Sequence, residues 1–298
     1  MNKQPAPLSN VPATASERLL DQLSRNSTPH LDPLARVNWE GLDQDAFWLP
    51  EAAISLYGLP QYADLSLSQR KALSRFEFLN FIEAGLWLES LFMKRIGRSL
   101  SQPRRRLPEL IYHLHELREE AGHSLMFLEL IRRTAPELPN DHFYRWNLAN
   151  VMAHFAPFES IAFWVAVLCG EEVPDRMNRF IRKHRQEICP SVYDIVSIHI
   201  MDEARHIAHA RDTIEQRLSV TPAWQKRLMR PVINRVFRQF VQTFYFPTQA
   251  IYELAGLDPN ENWPCLARAN PHRIAFVDQC VTSSLRILRD NGLRLNWR

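Results

Sequence analysis

Apolar positions along this chain recur with helical spacing, in long runs punctuated by proline. A first run opens at Leu67-Ser68 and continues to about residue 96. Pro103 and Pro108 separate it from a second over about 109–133, and Pro136 and Pro139 separate that from a third over about 141–169. A shorter helix is expected over about 175–187, ending near Pro190, and a fifth run over about 191–217. Thr221-Pro222 reads as a cap followed by Pro at the first helical position, opening a helix to about Phe246. One or two more helices follow, with breaks at Pro259 and Pro271. No stretch alternates with strand period and none repeats. The expected fold is all-α, with a helical bundle as the simplest packing. Residues 1–36 read as a polar N-terminal arm, extended or mobile over 1–30, and 37–298 as one helical domain with a C-terminal helical extension. Between Val37 and Tyr62, Trp39, Phe47, Trp48 and Tyr57 lie among turn residues and predict an irregular segment packed onto the helices.

Composition narrows the class. With 46% hydrophobic and 23% charged residues, the 298-residue chain can bury a sizeable core. Only 8 glycines argue against an all-β sandwich or barrel. A net charge of +3 gives no reason to expect nucleic acid. Cys169, Cys189, Cys265 and Cys280 are widely spaced, against a disulfide scaffold or a cysteine zinc site, and the N-terminus has no signal-like apolar core. A reduced, cytoplasmic location is the expectation.

Residues 151–169 carry only His154, Glu159 and Ser160 as polar residues, a length that would suit a membrane span. A carboxylate near the centre, Pro157 and the lack of a comparable second span favour a buried central helix instead. Pro157 removes one helical hydrogen bond, either as a plain kink or to distort the helix beside a metal. In a buried helix Glu159 must be neutralised, paired or bound to metal. Partners exist elsewhere. Glu120 and His123 sit in Glu-Glu-Ala-Gly-His, and Glu203 and His206 in Asp-Glu-Ala-Arg-His. A spacing of three puts Glu and His on one helix face. Such pairs alone are weak evidence. Here each lies beside an apolar face, in separate helices, with two further apolar helices offering one carboxylate each. That is the pattern of di-iron and di-manganese carboxylate bundles. On the first helix, Glu89 shares its stripe with Phe78, Ile82, Gly85, Leu86 and Phe92, so it is preferred over Glu83, the reserve. Gly85, costly inside a helix, makes room beside the metals. His199 falls within roughly 60° of arc of Glu203 and His206. Geometry alone leaves it open as a further ligand or a core histidine.

Leu56-Tyr57-Gly58-Leu59-Pro60, Leu65-Ser66, Gly85-Leu86-Trp87-Leu88-Glu89, Glu119 through Phe127, and Asp202 through His206 resemble the p-aminobenzoate N-oxygenase (AurF-type) family over about residues 37–217. The C-terminal third has no visible match. The resemblance implies a ferritin-like bundle with extra helices and a non-haem di-iron centre, with Mn/Fe as the other metal pair. It implies Glu89, Glu120, His123, Glu159, His199, Glu203 and His206 as ligands. The implied activity is dioxygen-dependent oxidation of a small organic substrate, with an arylamine-like nitrogen as target. An external electron donor, a reductase or ferredoxin, and a homodimer are the expected partners; neither nucleic acid nor a membrane is.

Asp202 and Glu119 each precede a ligand Glu. Asp202 is expected to orient a ligand histidine, and Glu119 is open between that role and surface charge. His113, His115, His154, His184 and His209 are expected to be non-ligands. Arg104–Arg106 and the Lys226, Arg227, Arg230, Arg235, Arg238 face read as solvated surface, with docking of an acidic electron donor as the functional alternative. Phe237, Phe240, Phe244, Tyr245 and Phe246 read as core rather than pocket. The competing functions are a non-catalytic iron-handling ferritin-like protein and another di-iron or Mn/Fe hydroxylase or oxidase.

Overall fold

The computed structural model describes residues 14–100, 106–134, 138–145, 147–157 and 160–298. Among them the helices, in chain order, are α1 (Ala15–Ser27), α2 (Pro33–Arg36), α3 (Pro60–Ala63), α4 (Leu67–Leu100), α5 (Leu107–Thr134), α6 (Asp141–Tyr144) and α7 (Leu148–Phe155). They continue as α8 (Ile161–Lys183), α9 (Pro190–Val220), α10 (Ala223–Tyr245), α11 (Gln249–Leu254), α12 (Trp263–Ala269) and α13 (Pro271–Asp290). No strand occurs among the described residues, so the fold is all-α.

α4, α5, α8 and α9 form the bundle, with α4 packed on α5 and α8 on α9. α4 has 34 residues, about 51 Å at 1.5 Å per residue, and buries residues 77–84 without a break. A helix buried all round belongs at the centre, and α10 closes its outer side by packing across α4 and α8. α13 covers the far face of α8.

Three expectations need adjustment. Residues 15–27 and 33–36 of the expected arm are helical: Thr14 and Glu17 form a reciprocal capping box, and Leu20 and Leu23 bury against Tyr112 of α5. The run expected over 141–169 is divided. α7 ends at Phe155, before Pro157, and α8 starts afresh behind Ser160, whose hydroxyl accepts from the Phe163 amide at 3.2 Å. α8 then continues through Pro174 to Lys183, so no new helix begins at 175. One lost hydrogen bond is outweighed by burial along the whole length against α9 and α13. No helix of the described residues is long and apolar enough to cross a membrane.

The segment before α4 packs its aromatics inward as expected. Trp48 is fully buried; its amide donates to Ser74 Oγ at 2.8 Å and its indole to the Asp43 carbonyl at 2.9 Å. The C-terminal third locks onto this segment. Arg273 of α13 is buried and donates to the carbonyls of Ala53 at 2.6 Å and Tyr245 at 2.9 Å. Asn270 donates to the carbonyls of Ser55 and Tyr57, both at 2.9 Å. On α10, Lys226 and Arg238 of the basic face donate to the carbonyls of Asn291 and Asn296 and so hold the C-terminal tail. Arg104 and Arg105 lie outside the described residues.

Candidate metal centre

The bundle helices deliver seven metal-ligand side chains to one buried place. α4 supplies Glu89, α5 Glu120 and His123, α8 Glu171, and α9 His199, Glu203 and His206. They form two overlapping groups: Glu89, His123, His199 and Glu203, and Glu120, Glu171, Glu203 and His206. In each, one candidate ligand atom per residue lies within 4.8 Å of the others. Glu203 belongs to both and sits between the two positions. In the first group, His199 Nε2 stands 3.4 Å from Glu89 Oε1 and from Glu203 Oε1. His123 Nδ1 lies 3.5 Å from Glu203 Oε1. In the second, His206 Nδ1 lies 3.1 Å from Glu120 Oε1 and 3.5 Å from Glu203 Oε2.

Of the expected residues, Glu89, Glu120, His123, His199, Glu203 and His206 are brought together. Glu83 stays apart and accepts from Asn140 Nδ2 at 3.3 Å. Glu159 lies outside the described residues. The carboxylate that the structure brings to the cluster from the helix after Pro157 is Glu171. The sequence held a signal for it: Phe163, Val167 and Glu171 recur at four-residue spacing on one buried face of α8. Reading a new helix at 175 hid that face.

Two hydrogen bonds cross between α5 and α9 and fix the imidazoles. Asp202 Oδ2 accepts from His123 Nε2 at 3.2 Å, and Glu119 Oε2 accepts from His206 Nε2 at 3.0 Å. Each bond holds a proton on Nε2 and turns Nδ1 toward the cluster. Arg205 ties the two carboxylates together, donating to Glu119 at 2.7 Å and Asp202 at 2.6 Å. Asp202 thus takes the orienting role expected of it, and Glu119 takes the same role. The Asn178 amide meets His199 Nδ1 at 3.2 Å.

Charge in this place is badly balanced by protein groups alone. Burial and the Glu120 charge push Glu89 well above the usual carboxylate range, and burial and Glu203 do the same to Glu171. Burial opposes a charge on His123, but Asp202 and Glu120 outweigh it and lift it to about 9. Burial takes His199 down to about 4. Glu120 Oε1, both Glu203 oxygens and His206 Nδ1 are buried with no hydrogen-bond partner. Such atoms are costly unless something electrophilic meets them. Four carboxylates and two divalent cations sum to zero charge, and mixed imidazole and carboxylate donors suit iron or manganese. The residues fit a di-metal centre.

A family model described as p-aminobenzoate N-oxygenase AurF matches residues 12–292. The chain belongs to the AurF family. The match runs from α1 into the tail after α13, so the C-terminal third, which carried no visible motif, is part of the family fold. As an AurF-family protein the chain is an oxygen-dependent oxidoreductase of the di-metal oxygenase and oxidase kind. Uncharacterized proteins of Mycobacterium bovis and Mycobacterium tuberculosis are each 26% identical over 297 residues, covering 96% of this chain and 85% of theirs. Among solved structures, an R2-like ligand-binding oxidase variant with anaerobically reconstituted Mn/Fe cofactor superimposes with TM-score 0.53 at 14% identity, covering 96% of this chain and 94% of its own. A second such variant gives TM-score 0.52 at 12% identity, with coverage of 96% and 94%. These likenesses establish the ferritin-like fold.

Proposed function

We propose that this AurF-family protein is a di-iron N-oxygenase acting on a small, largely apolar amine of arylamine type. One iron would be held by Glu89, His123, His199 and Glu203, and the other by Glu120, Glu171, Glu203 and His206. The observation that carries the reading is this cluster opening onto an apolar cavity within the bundle. Such an iron pair, when bound, supplies four-electron reduction of dioxygen in which one oxygen atom enters the substrate and the other leaves as water. The substrate contributes two of the electrons and an external reductase or ferredoxin the other two.

The chain's own residues do the rest. Asp202 and Glu119 hold the protons on His123 Nε2 and His206 Nε2, so the imidazoles keep one tautomer and one orientation. The cavity lies against Glu89, Glu171 and His199, with Phe81, Phe127 and Phe244 among its apolar walls. Phe244 therefore serves as both core and wall. Gly85 and Gly170 shape the space: a Cβ on the first would meet the Phe127 ring at 3.2 Å, and on the second Leu88 at 3.0 Å. The cavity measures about 20 Å³, and a second chamber of about 40 Å³ adjoins it, lined by Phe92, Met152, Phe163 and Phe240. These volumes hold a few waters or dioxygen, not an aromatic ring. Leu88 and Glu171 line both chambers. Leu88 stands between the two chambers, so its movement would join them.

The test is product analysis under ¹⁸O₂ with a panel of arylamines. Labelled oxygen on nitrogen supports the reading; label only on carbon replaces N-oxygenation by hydroxylation. The fold neighbours' Mn/Fe cofactor gives a second reading of the metal pair, a mixed-metal oxidase. Metal analysis of the protein as isolated separates the two.

A further inference from the structure

Outside the seven-residue cluster, the bundle interior holds a second set of metal-ligand type. His113 and Glu116 lie on α5 and His209 on α9, all buried, with one donor atom of each within 4.8 Å of the others. His209 Nδ1 stands 3.5 Å from Glu116 Oε1, and the His113 and His209 rings are 5.4 Å apart. The set is distinct from the di-metal cluster. Glu116 precedes Glu120 by four residues and His209 follows His206 by three, which displaces it by about 5 Å along both helices.

Hydrogen bonding leaves the carboxylate of this set incomplete. Glu116 Oε2 is buried without a partner, and so is the hydroxyl of Tyr112, whose ring packs edge-on at 4.8 Å from His209. A buried carboxylate oxygen left open beside two imidazoles asks for an electrophile. Two histidines and one carboxylate are the protein donors of many open zinc and ferrous sites. There is also a way in. A surface recess of about 460 Å³ reaches His209, with Ser16, Glu109, Thr213 and Gln216 along its walls.

We propose that His113, Glu116 and His209 form a third site for a divalent transition-metal ion, separate from the di-metal centre and reached through this recess. Zinc is the probe, because it takes imidazole and carboxylate ligands without redox chemistry.

The experiment is equilibrium dialysis of the chelator-stripped, full-length protein against zinc, with metal counted per folded chain. Wild type is expected to bind three ions, and the His113→Gln/His209→Gln variant one fewer. Equal counts of two in both proteins overturn the third site and leave the di-metal reading untouched. A wild-type count of one that the double variant abolishes upholds the third site and contradicts the di-metal reading. Zinc anomalous scattering from wild-type crystals covers the case in which the variant fails to fold. A peak between His113, Glu116 and His209 upholds the site, and its absence overturns it.

Discussion

Glu77 and Glu89 stand twelve residues apart on α4, both buried, and their surroundings could hardly differ more. Glu77 is completed by protein. Its carboxylate accepts from the Ser55 amide at 3.0 Å and the Ser55 hydroxyl at 2.5 Å, and Arg273 supplies a favourable charge. Glu89 faces the carboxyl groups of Glu120, Glu203 and Glu171, with His123 Nδ1 and His199 Nε2 at 3.8 and 3.4 Å from its Oε1. A carboxylate kept for architecture brings its donors with it. One kept for chemistry is left among like charges that only an ion from outside can reconcile. Glu83, between them in sequence, needs neither solution and takes a single bond from Asn140.

Truncating Glu203 and Glu77 separates the two kinds of buried carboxylate. Glu203→Ala removes the carboxylate common to both groups. It should lose both ions of the pair and lower oxygen consumption at least 100-fold, while chain melting without added metal stays at or above the wild-type temperature. Glu77→Ala should do the reverse. It orphans the buried Ser55 amide and the Arg273 charge and should cost about 3 kcal/mol in denaturant unfolding, with metal content unchanged. If Glu77→Ala lost metal while Glu203→Ala kept it, the contrast would be wrong.

Asp202→Asn sharpens the picture at the next level. The amide can still meet His123 Nε2 but no longer supplies charge, so metal affinity should drop about 10- to 100-fold with little change in fold. Titration against a competing chelator measures it. Gly170→Ala should cost about 1–3 kcal/mol, since its Cβ would press on Leu88. Leu88→Ala should join the two chambers and shift substrate preference toward bulkier amines, read as relative kcat/KM across an arylamine series.

The smallest effect is a pH slope at Glu77. Burial lifts its carboxyl above the usual range despite Arg273 and Ser55. Folding then favours the protonated form, and the stability this confers is lost as pH rises through the raised value. Wild type should therefore lose stability relative to Glu77→Gln as pH climbs from the ordinary carboxylate range toward neutrality. A difference that grows in the opposite sense would show that Arg273 dominates instead.

Much of the fold and most of the site were legible in the sequence, for physical reasons. α4, α5 and α9 are long, and their ends coincide with proline or capping residues. Glu120/His123 and Glu203/His206 declare themselves because a spacing of three points both groups at one place. Glu89 followed from its apolar stripe. Glu171 did not, because it falls between runs read as ending at 169 and restarting at 175, whereas burial of α8 against its neighbours carries one helix through Pro174. α1 was hidden in a polar segment whose Thr14–Glu17 capping box outweighs its composition. The grouping of His113, Glu116 and His209 depends on the side-by-side packing of α5 and α9, which no local pattern encodes.

The most direct test is metal stoichiometry. Wild type, Glu203→Ala, Glu171→Ala and Glu159→Ala would be loaded anaerobically with ferrous iron, desalted, counted for metal, and exposed to oxygen with absorption monitored. Two more irons in wild type than in Glu203→Ala, at least one lost in Glu171→Ala, none lost in Glu159→Ala, and an oxygen-dependent visible band confined to proteins holding the pair are the predicted results. No stoichiometric iron, manganese or zinc in the folded wild-type protein would contradict the account, and would make the carboxylate–histidine cluster a purely structural network.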